Sequence, residues 1–183
     1  MSLSFKIFAR PILLTLLLLA VPLVAMQFTR EVSWTFFDFV VMGMLLFGTG
    51  LTYELVAARA GATTVYRLGV ALGVVAGLLL VWVNLAVGII GSEANPANLL
   101  YLGVLGTVLT GALRARFRAA GLARTMLAAA AVQLLVPLVA ALIWQPAIDR
   151  GFWLTLAFNG VFALLWAGSA LLFYRASHRQ PAA

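Results

Sequence analysis

Asp38, Asn84, Glu93, Asn98 and Asn159 are the polar residues whose chemistry is most out of place here, because each stands inside or against a long apolar run. An unpaired polar group in hydrocarbon is costly, so each needs a partner, water or a function. Asp38 is ionisable and shares a helical stripe with Met42, Leu45, Thr49 and Thr52. It could bind a cation or relay a proton; the structural alternative is an interfacial carboxylate favoured by the positive end of a helix. Glu93, Asn95 and Asn98, with carbonyls of their turn, could hold a hard cation, although one carboxylate with amides is a thin ligand set. That turn also has a local explanation, with Asn95 as N-cap, Pro96 at the first helical position and Asn98 bonding the turn. Glu93 is then left over. Asn84 and Gln133 read as interhelical glue, a role that contributes about 0.6 kcal/mol on average. Turned inward together, Asp38, Asn84, Glu93, Asn98 and Asn159 would line a polar vestibule open to the outer side, and they form the candidate binding site.

Enzyme chemistry finds little to use. Asp38 and Glu93 could work as a general acid and base if they met. His178 is the only histidine and stands in the polar tail, which leaves haem ligation, histidine zinc sites and a Ser-His dyad without support. The chain has no cysteine, so disulfides, thiolate metal sites and thiol nucleophiles are excluded. Neither a Walker-type phosphate loop nor a dinucleotide fingerprint is present. No catalytic residue, metal or cofactor is expected, and the chain is not expected to be an enzyme.

The elements that must position these residues are membrane helices. Of 183 residues, 64% are hydrophobic and 9% charged, whereas soluble domains carry about a quarter charged residues. Six apolar segments, near 11–28, 34–57, 66–90, 97–113, 125–144 and 152–174, each approach the ~20 residues that span a bilayer. The fourth is short, and spans if Arg114 and Arg116 snorkel. The expected fold is all-α, one transmembrane bundle over 1–183, built as three antiparallel hairpins because the connections are short.

Charge sets the orientation. With both termini cytoplasmic, Lys6, Arg10, Arg59, Arg67, Arg114, Arg116, Arg118, Arg124, Arg175 and Arg179 lie inside, leaving only Arg30 and Arg150 of the twelve basic residues outside. The net charge of +7 therefore reads as topology signals facing anionic lipid, not as a nucleic-acid surface. Arg114, Arg116, Arg118 and Arg124 form the densest group, which could hold a lipid headgroup or an acidic partner, with Arg114, Arg116 and Arg118 the headgroup candidates. Glu54 at the cytoplasmic end of the second helix is expected to pair with Arg59 or Arg67. The first apolar run lacks a convincing small-x-small cleavage site and is read as a retained helix of a bacterial inner-membrane protein.

Packing has its own signal. At about 100° per residue, Gly69, Gly73, Gly77, Asn84, Gly88 and Gly91 fall within an arc of roughly 100°, a face on which another backbone can come close. Gly69, Gly73, Gly77 and Gly88 are the expected helix-packing residues. Pro22 and Pro137 interrupt apolar segments and should kink them. They also sit in similar settings, Val21-Pro22-Leu23-Val24-Ala25 and Val136-Pro137-Leu138-Val139-Ala140, which fits a weak hairpin repeat. Trp34, Trp144 and Trp153 suit an interfacial belt, while Trp82 and Trp166 lie deeper, packing against lipid or lining an apolar pocket.

The stretch Val83 to Asn98, with Gly48-Thr49-Gly50-Leu51-Thr52-Tyr53-Glu54-Leu55, resembles a family of small bacterial six-helix inner-membrane proteins with no known activity. The resemblance implies the layout and carries no substrate or catalytic residue. Three functions remain in view. The first is a non-enzymatic protein acting by helix contacts, as an accessory subunit, scaffold or self-associating bundle, its partners being the bilayer and a second copy or another membrane protein. The others are a channel or transporter for a small ion or solute, and a membrane enzyme acting on lipid.

Overall fold

The computed structural model describes residues 3–58 and 62–179, which hold six helices long and apolar enough to cross a membrane and no strand. The helices are α1 (Leu3–Phe28), α2 (Phe36–Ala57), α3 (Thr64–Ala86), α4 (Tyr101–Arg114), α5 (Ala119–Trp144) and α6 (Arg150–Arg179), with a 3₁₀ turn over Pro96–Leu100 leading into α4. The chain divides into two compact units, Met1–Ala60 and Gly61–Ala183.

In the first unit α1 packs on α2. Pro11, expected to open the first helix, lies inside α1 and is fully buried. Gly50 of α2 makes room for it, since a Cβ there would stand 3.0 Å from the Pro11 Cβ. Glu54 lies one turn beyond Gly50 and therefore shares its face. It meets Arg10, the neighbour of Pro11, at 3.7 Å, whereas Arg67, one expected partner, belongs to the second unit. Arg59, the other expected partner, lies outside the described residues.

In the second unit α5 and α6 pack on each other, α3 packs on α6 and α4 on α5. The core stripe of α6 is legible in its spacing: Asn159, Phe162, Ala163, Trp166, Ser169, Ala170, Phe173 and Ala176 are all buried, as intervals of three and four along one helical face require. Three residues of that stripe receive the glycines of α3. A Cβ on Gly69 would come 3.2 Å from the Phe173 ring, one on Gly73 3.1 Å from Ser169 Oγ, and one on Gly77 3.8 Å from Trp166. The close approach also makes a bond, because Ser169 Oγ donates to the Gly69 carbonyl at 2.8 Å.

Gly88 corrects the expected packing stripe. The apolar run predicts a helix to Ile90, but α3 ends at Ala86 and Gly88 adopts φ 70° in the turn beyond it. A Cβ there would collide with the Ser92 carbonyl, so Gly88 serves the turn and not the helix face. The cause lies further along the chain, in the Asn98 side chain. Its Oδ1 accepts from the Ile89 and Ile90 N–H groups at 3.1 and 2.9 Å, replacing the bonds a continuing helix would give them.

Candidate functional site

The centre of the second unit is a polar network closed over three helices. Asn159 of α6 is fully buried. Its Oδ1 accepts from Gln133 Nε2 of α5 at 3.0 Å and from the Tyr101 hydroxyl of α4 at 3.1 Å. Its Nδ2 donates to the Tyr101 oxygen at 2.9 Å and to the Thr155 carbonyl, one turn back, at 2.8 Å. The Trp166 indole N–H completes the set by donating to Gln133 Oε1 at 3.4 Å. Gln133 and Trp166 are also fully buried. Each polar side chain here has a partner on another helix, which is how a low-dielectric interior tolerates amides.

The remaining candidates of this unit are used locally. Asn98 holds the turn before it, with Nδ2 donating to the Ile90 and Ser92 carbonyls at 3.3 and 2.7 Å in addition to the two bonds its oxygen accepts. Asn95 caps the 3₁₀ turn, its Oδ1 accepting from the Ala97 N–H at 3.0 Å. Asn84 donates to the Leu80 carbonyl of its own helix at 2.8 Å, while its buried Oδ1 has no hydrogen-bond partner. Glu93 is exposed in the turn between Gly91 and Asn95. No hydrogen bond joins Asn84, Glu93, Asn98 or Asn159 to one another.

Asp38 belongs to the first unit and closes a capping box. Its Oδ2 accepts from the Thr35 N–H at 2.7 Å and from the Thr35 hydroxyl at 2.8 Å, while its own N–H donates to Thr35 Oγ1 at 3.3 Å. A carboxylate in the first turn also faces the positive end of the helix. Among the described residues no group of three or more His, Cys, Asp and Glu side chains is placed to hold a metal ion.

Arg114, Arg116 and Arg118 are exposed around the tight connection between α4 and α5. Arg116 and Phe117 take φ of 50° and 58°, a left-handed pair that reverses the chain in few residues. The Phe117 carbonyl accepts from the Tyr66 hydroxyl at 2.8 Å, which ties the start of α3 to this connection.

Tyr101 is the network member that sequence reasoning misses. In an apolar helix a tyrosine reads as one more aromatic, and only its place opposite Asn159 gives the hydroxyl a role. Trp166 is a core residue under Gly77 and does not face lipid. No family model, curated protein or solved structure matches this chain.

Proposed function

We propose that this chain is a small multi-pass protein of the bacterial inner membrane that acts through helix contacts, as an accessory subunit, scaffold or self-associating bundle, and not by catalysis. In this reading both termini are cytoplasmic and the six helices cross in alternate directions. The distribution of ten of twelve basic residues on one side supports that orientation. Arg114, Arg116 and Arg118 would then meet the anionic headgroups of the cytoplasmic leaflet.

One observation carries the reading: Tyr101 of α4 and Gln133 of α5 both bond to Asn159 of α6. Polar groups so paired hold helices in register and are not presented to a passing solute. Asp38 and Asn98 are likewise spent on a cap and a turn. Flux measurements in liposomes test the proposal. Purified protein is expected to pass protons and potassium no faster than protein-free liposomes do, and Asp38→Asn and Glu93→Gln are expected to change nothing. A saturable flux abolished by either substitution would overturn the contact reading in favour of a channel or transporter.

A further inference from the structure

A cavity of about 460 Å³ lies between the end of α3, the turn after it, α5 and the start of α6. It falls within the ~300–1,000 Å³ of sites that enclose small organic molecules. The space has a sequence origin. Gly88, Gly91, Ala140, Ala141, Ala147 and Gly151 all stand in its wall, six residues with no side chain larger than a methyl group. The early stop of α3 at Ala86 adds to it by sending the chain aside at Gly88.

Along the helices the cavity runs from Pro137 and Phe158 to Trp144 and Asp149, roughly 10 Å at about 1.5 Å per residue. Its wall between those ends is mainly hydrocarbon and aromatic. At the far end Asp149 caps α6, with Oδ1 accepting from the Phe152 N–H at 3.0 Å. Its carboxylate forms no ion pair among the described residues. Glu93 is exposed in the turn between the wall residues Gly91 and Asn95, and the neighbouring Arg150 is exposed outside the wall. Among the described residues, Asp149 is the one charged residue in the wall itself. A tryptophan in the wall at the end of a membrane helix suits the interfacial level, where lipid heads and tails meet.

We propose that this cavity binds one acyl chain of an amphiphile with an ammonium head group, the chain lying along α5 and α6 and the ammonium beside Asp149. The assignment goes beyond the contact-based function and does not depend on it.

Delipidated full-length protein in detergent, titrated with a lysophosphatidylethanolamine brominated on its chain, tests it through quenching of tryptophan emission. Quenching is expected to saturate with amphiphile mole fraction and to lose its saturable part in Trp144→Phe. Filling the wall with Ala141→Phe should weaken apparent affinity by about tenfold or more. Ala147→Leu, in the loop, serves the same purpose should the first variant fail to yield folded protein. A brominated lysophosphatidylglycerol supplies the anionic arm. Asp149→Asn keeps a capping side chain and should erase a preference for the ammonium head of about threefold, the scale of an exposed ion pair. Quenching that rises linearly and is the same in the filled variants means adventitious lipid contact only and overturns the site. Equal binding of the two amphiphiles by the unsubstituted protein overturns the head-group assignment.

Discussion

The Asn98 side chain takes up four backbone groups of the turn that precedes it, the N–H groups of Ile89 and Ile90 and the carbonyls of Ile90 and Ser92. Leaving a buried backbone group unpaired costs about 1–3 kcal/mol. Asn98→Ala is therefore expected to lower the stability of the detergent-solubilised protein by about that amount. Asn98→Asp, which keeps the acceptor and loses both donors, should fall between the two in the same thermal unfolding series. Equal stability of all three would show that the turn does not depend on this side chain. At this scale the sequence is legible where the interaction is short in range. Asn95, Pro96 and Asn98 announce a helix start through types and spacing alone. Tyr101 is silent because its partner Asn159 lies 58 residues away.

Among the elements, the pairing of α3 with α6 rests on how closely two backbones come together. Gly73 faces Ser169 at a hypothetical Cβ distance of 3.1 Å, with Met126 Sδ at 3.6 Å. A methyl group there needs a small adjustment of the serine, whereas a leucine has no space. Gly73→Leu should separate the helices, lowering the unfolding temperature and broadening the elution profile in detergent, while Gly73→Ala should change either only slightly. Equal behaviour of the two variants would mean that this face is not packed. The existence of six helices is legible because hydropathy and bilayer thickness decide it. The glycine face is legible too, from its helical period, although its partner is not. α3 chooses α6, far along the chain, and sequence order gives no hint of that. The end of α3 is hidden for a related reason: Val87, Ile89 and Ile90 are as apolar as the helix before them, and a side chain beyond the turn ends it.

Across the whole molecule, Asp38 caps a helix, Asn98 braces a turn, and Tyr101, Gln133 and Asn159 close the network of α4, α5 and α6. The vestibule legible in the sequence required Asp38, Asn84, Glu93, Asn98 and Asn159 to share water. Within the second unit they are distributed instead: Asn159 bonds in the buried network, Asn98 in a turn and Asn84 to its own helix, while Glu93 is exposed. Labelling of introduced cysteines tests this most directly, on a chain that has no cysteine of its own. In membrane fragments open on both sides, Ala94→Cys in the exposed turn should react quickly with a hydrophilic maleimide. Asn159→Cys and Gln133→Cys should remain unmodified over the same time. Labelling at Asn159→Cys as fast as at Ala94→Cys would place water at the centre of the network and contradict the account.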